Sequence, residues 1–278
     1  MSTKRLCAVL AGAMLGGLAH AEPKLFPTDL LTPRQADAAI SLDAMRSAGD
    51  IRANALGLPG AERDHASTLS MDARYGITYA LTLGAGLQAG SANAYLKLNN
   101  GQRVDAHEDG LLASRVYARY AIVPETRGGA YALTTDVLLS HQHNPEGSTS
   151  FNVYGFNATL SARTTDLVRT YATLGFSVPS KGYASRDLTA AAGGWMQVNP
   201  GVVGTLELGA RRRVANSTTS SANSTAATVS GIWDVATGTS VRASLSVSRT
   251  SGSTAQNGGL TVRPSQGQRL GLSLYHQY

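Results

Sequence analysis

The chain has 278 residues, 42% of them hydrophobic, and 24 Lys and Arg against 18 Asp and Glu give it a net charge of +6. That charge is mild and spread out, with no Lys/Arg run, so nothing reads as a nucleic-acid footprint. No run of eighteen apolar residues occurs, which excludes a membrane protein built of helices.

The opening stretch MSTKRLCAVLAGAMLGGLAHA has Lys4 and Arg5, an apolar run from Leu6 to Leu18, and the small-x-small triplet Ala19-His20-Ala21. These are the parts of a secretory signal peptide, so residues 1–21 are expected to be removed before Glu22. Cys7 lies at the start of the apolar run rather than at the cleavage point, which argues against a lipid-anchored N-terminus. As the sole cysteine, it leaves the exported chain without disulfides.

Residues 22–38 read as a periplasmic lead-in. Within it, Thr32-Pro33-Arg34-Gln35 has the look of a helix start, with Thr as N-cap and Pro at the first helical position. One helical turn inside or beneath the following domain is one reading; an extended lead-in is the favoured one.

From about residue 38 the hydrophobic pattern has a period of two. Leu133, Thr135, Val137 and Leu139 alternate with Thr134 and Asp136; Leu206, Leu208 and Ala210 alternate with Glu207 and Arg211. Sustained alternation means half-exposed strands. It predicts twelve of them, over 39–47, 66–75, 78–89, 111–122, 130–141, 150–162, 167–178, 187–198, 202–213, 225–235, 239–250 and 267–278. Most are longer than an average globular strand and long enough to cross a bilayer when tilted.

The connections sort by parity. After even-numbered strands they are short, as in TTDL, NPG and ATG; after odd-numbered strands they are longer and polar, as in VANSTTSSANST. Tight turns at one end and long loops at the other are the pattern of an outer-membrane barrel. Aromatics gather at the short-turn end: Tyr75, Tyr79, Tyr120, Tyr131, Trp195, Trp233, Tyr275 and Tyr278. Such rings collect at the headgroup level of a bilayer.

The fold expected is therefore all-β: a transmembrane antiparallel β-barrel of about 12 strands over 39–278, with short periplasmic turns and longer extracellular loops. The last strand, ending SQGQRLGLSLYHQY, must pair with the first so that no edge stays open in lipid. Leu270, Leu272, Leu274 and the terminal Tyr278 resemble the C-terminal assembly signal of bacterial outer-membrane proteins, which implies the barrel-assembly machinery and outer-membrane lipid as partners.

The same parity sends Asp43, Asp72, Arg74, Arg115, Arg119, Asp136, Arg169, Glu207, Arg211, Arg213, Asp234, Arg242 and Arg269 inward. Arg74, Arg115, Arg119, Asp136, Arg169, Glu207, Arg211 and Arg242 are the expected channel lining. Either they form an arginine-lined passage for small polar or anionic solutes, or closed Arg–carboxylate pairs fill a narrow barrel. In the second case the protein would be a non-conducting surface protein whose loops bind a partner. His141 and His143, with Asp105, His107, Glu108 and Asp109, could be imagined around a metal, but His-x-His alone forces no ligand geometry, and no metal or other cofactor is expected. A Ser/His pair or a carboxylate cluster at the outer rim would be needed for an outer-membrane enzyme. The sequence shows no convincing arrangement, so no catalytic residue is assigned.

The phrases LFPTDLLTPRQADAAISLDA and DARYGITYALTLGAGL resemble the start of a group of bacterial outer-membrane proteins labelled as transporters of the meta-pathway of phenol degradation. The resemblance spans residues 25 to 90 and implies a barrel concerned with uptake or efflux of small molecules. The few aromatics here are a poor lining for phenols.

Overall fold

The computed structural model describes residues 26–53, 58–98, 101, 103–124, 131–143, 150–182, 184–216, 220–254 and 261–278. The expected signal peptide lies outside the described residues.

The described strands are β1 (Ala36–Ala53), β2 (Leu58–Thr78), β3 (Leu81–Leu98), β4 (Arg103–Val123), β5 (Tyr131–Gln142), β6 (Phe151–Arg163), β7 (Val168–Pro179), β8 (Asp187–Asn199), β9 (Val202–Arg213), β10 (Ala222–Ala236), β11 (Thr239–Thr250), β12 (Ser253–Thr254) and β13 (Thr261–Gln277). Each pairs antiparallel with its neighbours, and β13 pairs with β1 from Gln277↔Asp37 to Thr261↔Arg52. Twelve strands thus close into a barrel, with the two-residue β12 lying beside the start of β13. Tyr278 N completes the seam, donating to Ala36 O at 2.9 Å. All twelve expected strands are present.

Alternation sorts the side chains, and the sorting is inverted relative to a soluble protein. Leu42, Leu174, Leu208, Leu245, Leu270 and Leu272 are exposed on the outer surface, whereas Ser41, Asp43, Asp72, Arg74, Thr134 and Thr159 are buried inside. Water on both sides would not tolerate so continuous an apolar exterior. A bilayer outside and a polar interior account for it.

The first four strands and β13 outrun their expected lengths the most. β1 to β4 span 18, 21, 18 and 21 residues, so most of 48–65 and 90–110, expected as loops, is paired strand. Alternation marks a strand only where one face meets lipid. Past that height the outward face need no longer be apolar, the hydrophobic signal vanishes, and the backbone ladder still pairs. One side of the barrel wall therefore stands taller than the other.

At the opposite end the turns are tight. Gly201 and Gly238, in the NPG and ATG turns, have φ of 83° and 70°, conformations that suit glycine. Register shifts accompany four of these turns, at Gly76/Thr78, Ala121/Val123, Gln197/Asn199 and Asp234/Ala236. Six of the eight rim aromatics point outward there. Trp195 and Tyr275 do not. They have the inward parity of their strands, Tyr275 is buried, and its hydroxyl donates to Asp37 Oδ2 at 3.0 Å.

Candidate channel interior

Every expected lining residue points into the barrel, and each is engaged. Arg74 is buried against Asp37, with Nε to Oδ1 at 2.9 Å. Arg119 makes a two-pronged pair with Asp136, at 2.7 and 2.9 Å. Arg269 does the same with Asp43, at 2.9 and 2.8 Å. Arg211 reaches Asp187 at 2.5 Å, with Arg213 Nε 4.0 Å from the other carboxylate oxygen. Arg242 donates to Ser230 Oγ at 2.8 Å, and Asp234 accepts from Ser240 Oγ at 2.7 Å.

Several of these bonds bridge three strands. Asp72, Gly86 and Arg115 lie on one line across β2, β3 and β4, and the Arg115 side chain passes over the glycine to the carboxylate. Tyr117, two residues along, donates to Asp72 Oδ1 at 2.7 Å over Gly84. Tyr171, Gly193 and Glu207 repeat the device on β7, β8 and β9, with the phenol donating to the carboxylate. A Cβ on Gly86 would lie 2.6 Å from Asp72 Oδ2, and one on Gly193 2.8 Å from the Tyr171 ring. Gly84 and Gly86 of LTLGAGL and Gly193 of TAAAGGW leave the channels in which these side chains lie.

Among the described side chains, sequence reasoning missed four inward carboxylates: Asp29, Asp37, Asp64 and Asp187. Asp37 and Asp187 sit at strand starts, where alternation has no run to read; Asp29 precedes the first strand; Asp64 lies in the tall part of β2. They erase the apparent excess of arginine inside. Asp64 takes one hydrogen bond, from Ser47 Oγ at 2.9 Å, while its Oδ1 is buried without a partner. Burial lifts its pKa above the ordinary carboxylate value, outweighing the Ser47 bond and the nearby His65.

The lead-in is the second surprise. Residues 26–35 fold back across the short-turn mouth of the barrel as a strap. Asp29 N donates to Phe26 O, and Gln35 N to Thr32 O, so two turns stand where an extended lead-in was favoured and one helical turn was the alternative. Pro33 followed by Arg34 at φ 69° is the pattern of a type II turn, which ends the chain direction that a helix would continue. The strap is pinned to β2 by Arg34 N to Gly76 O and Gly76 N to Gln35 O, both 2.9 Å. Here Gly76 of the RYGIT stretch is required: a Cβ would stand 2.1 Å from Thr32 O.

The far end of the strap reaches β7, six strands from β1 in either direction round the ring. Asp29 pairs with Arg169 at 2.6 Å, and Thr28 Oγ1 lies 2.7 Å from Ser161 Oγ. Phe26 meets Tyr171 and Trp195 edge-on, each at 5.4 Å, with the Arg169 guanidinium 4.0 Å above its ring. Leu31 N donates to Thr82 Oγ1 at 3.1 Å. Phe26 and Leu31 are both 1% exposed, although they are apolar residues in a polar barrel.

At the other rim, on the outer surface, Ser114, His141 and Asn152 are register partners across β4, β5 and β6. Ser114 Oγ lies 3.3 Å from His143 Nε2, whereas Asn152 Oδ1 is bound to His141 Nδ1 at 2.7 Å. The amide thus orients one imidazole and the serine meets the other, so no single His carries both contacts a triad needs. His143 titrates below its ordinary range through burial and the His141 charge. His107 contacts Asn93 and Asp109, remote in register from the histidine pair. No group of three or more metal-ligating side chains occurs among the described residues.

No protein-family model matches the chain, and no curated protein matches it in sequence. In structure it is similar to the COG4313 outer membrane channel from Pseudomonas putida F1, with a TM-score of 0.60 at 14% identity, over 92% of this chain and 100% of that one. Weaker likeness extends to the NanC porin, with a TM-score of 0.47 at 10% identity over 84% of this chain and 98% of that one. The KdgM porin in complex with disordered oligogalacturonate gives 0.45 at 10% identity, over 84% and 97%. At these identities the likeness is one of fold: the chain has the fold of an outer-membrane β-barrel.

Proposed function

We propose that the protein is an exported outer-membrane channel passing small polar or anionic solutes passively. Arg115, Arg119, Arg169, Arg211 and Arg242 contribute to its lining, and the strap narrows its periplasmic mouth. The observation that carries this reading is the inverted barrel, apolar outside and lined by Ser, Thr, Asp and Arg inside. A polar lining held by fixed charge pairs replaces part of the hydration shell of a polar solute. The resemblance of residues 25 to 90 to transporters of small molecules agrees with this, without naming a solute. The proposed role is transport rather than catalysis, and Leu270, Leu272, Leu274 and Tyr278 are proposed as the signal read during assembly.

Single-channel recording of the refolded mature chain in a planar bilayer, with KCl reversal potentials, is the direct test. Stable conductance steps whose ion preference shifts toward cations in Arg115→Glu and Arg119→Glu variants support the reading. A folded, heat-modifiable barrel that never conducts would sink it. That outcome would favour the second reading, for which the tall β1–β4 wall speaks: a non-conducting barrel presenting an extracellular surface to a partner.

A further inference from the structure

The arginines of this barrel differ in their surroundings. Those inside are engaged with carboxylates or hydroxyls, as described above. Arg46 on β1, Arg63 on β2 and Arg249 on β11 point outward, are exposed, and their side chains make no hydrogen bond or ion pair among the described residues; Arg212 on β9 is alike but stands apart from these neighbouring strands.

Their position is set by the strand pattern. Counting upward from the short-turn end, the outward residues of β1 are Ile40, Leu42 and Ala44, and then comes Arg46. On β11, Leu245 and Val247 precede Arg249; on β2, Met71, Leu69 and Ser67 precede His65 and Arg63; on β13, Leu272 and Leu270 precede Gln268 and Gln266. On four adjacent strands the apolar face gives way at its upper border to residues that donate hydrogen bonds. Register holds them together: Arg46 is opposite both Gln268 and His65, and Arg249 is opposite Gln266. Strand spacing and rise put the Arg46 and Arg63 backbones about 8 Å apart, close enough for both guanidiniums to meet on one group. The carboxylate that shares this face, Asp50, lies farther out, opposite Ala61.

We propose that this patch binds the phosphorylated head group of an outer-leaflet amphiphile, with Arg46, Arg63 and Arg249 as its cationic ligands and His65, Gln266 and Gln268 as further donors. The inference rests on the membrane reading of the barrel. The apolar face directly below supplies contact for acyl chains, which ties the anionic occupant to a lipid rather than to a free solute. Guanidinium forks suit phosphate oxygens, and their charges at the membrane border lack an internal partner. Arginines at the border for snorkelling alone would serve any lipid equally; a phosphate site discriminates.

The test uses the full mature chain refolded in detergent, with folding followed by heat-modifiable migration. Binding of diphosphorylated lipid A is compared with that of the same lipid stripped of its phosphates. The wild type should bind the phosphorylated form far more tightly. Arg46→Gln/Arg63→Gln/Arg249→Gln should weaken it about 100-fold, roughly fivefold per arginine. Should the triple variant fold poorly, Arg46→Glu alone should still weaken binding while the phosphate dependence of the wild type stands by itself. Equal binding of both lipids by the wild type, or undiminished binding by the folded variants, overturns the site. A wild-type chain that never folds as a heat-modifiable barrel would instead remove the membrane reading beneath it.

Discussion

Asp72 and Arg115 stand on strands that do not touch, and their side chains meet over Gly86 with Arg115 Nη2 2.5 Å from the carboxylate. The pair is nearly buried, so its partners cannot be replaced by water without loss. Gly86→Ala should therefore destabilise the barrel by about 1–3 kcal/mol through crowding alone. Asp72→Ala, which strands the guanidinium and the Tyr117 hydroxyl, should cost about 3–5 kcal/mol. Urea midpoints of the refolded variants would measure both, and a neutral Gly86→Ala would mean that the pair does not cross β3.

The strap makes a separate forecast for conductance. Phe26→Ala combined with Asp29→Ala removes its contacts with Tyr171, Trp195 and Arg169, and should raise single-channel conductance while leaving the barrel folded. The converse is a lock. Thr28→Cys with Ser161→Cys replaces two oxygens 2.7 Å apart in a chain whose one cysteine, Cys7, lies in the proposed signal peptide. Oxidation should hold the conductance low and reduction should restore the wild-type level; identical traces in both states would place the strap outside the conducting path.

On the outer wall, Leu272→Lys and Leu208→Lys each put a charge on the apolar band. Each should cost about 2–4 kcal/mol near the bilayer midplane. Refolding yield into lipid vesicles and the urea midpoint report it. Normal stability for both variants would argue against lipid at that face.

Asp64 offers a pH test above the apolar band, where the outward neighbours are Arg63 and His65. Its folded pKa is raised, so its contribution to stability is present in full below the unfolded carboxylate value and fades as pH rises through the folded one. At neutral pH the buried, under-bonded carboxylate works against the fold. Asp64→Asn should thus be more stable than wild type at neutral pH and lose that advantage below about pH 4. A difference that does not change with pH would show that Asp64 ionises freely.

The Ser114 and His143 contact at the outer rim carries an expectation too. With Asn152 holding His141 instead of His143, a fluorophosphonate probe should leave Ser114 unlabelled in the folded barrel. Labelling that Ser114→Ala abolishes would reopen the reading of an outer-membrane enzyme.

Much of this architecture was legible in the residues. Alternation such as Leu206, Leu208 and Ala210 against Glu207 and Arg211 is a local property: a strand with lipid on one side must present an apolar residue at every second position, so strand existence and facing can be read along the chain. The short turns announced themselves through NPG and ATG for the same local reason. Where the outward face rises past the apolar band, as at Asp105, His107 and Asp109 of β4, that face is exposed and polar, and the paired backbone leaves no trace in composition.

What only the tertiary structure decided is who meets whom across the barrel. Phe26 is an apolar residue in an unpatterned segment, and nothing near it in sequence announces Tyr171, Trp195 or Arg169. Asp72 does not name Arg115, because the link runs through the register of three strands and the missing side chain of Gly86. Strand facing follows from a period of two within one segment, whereas the partners of an inward charge depend on barrel closure and register. Those are properties of the whole ring, and they decide whether an inward arginine lines a path or closes a pair.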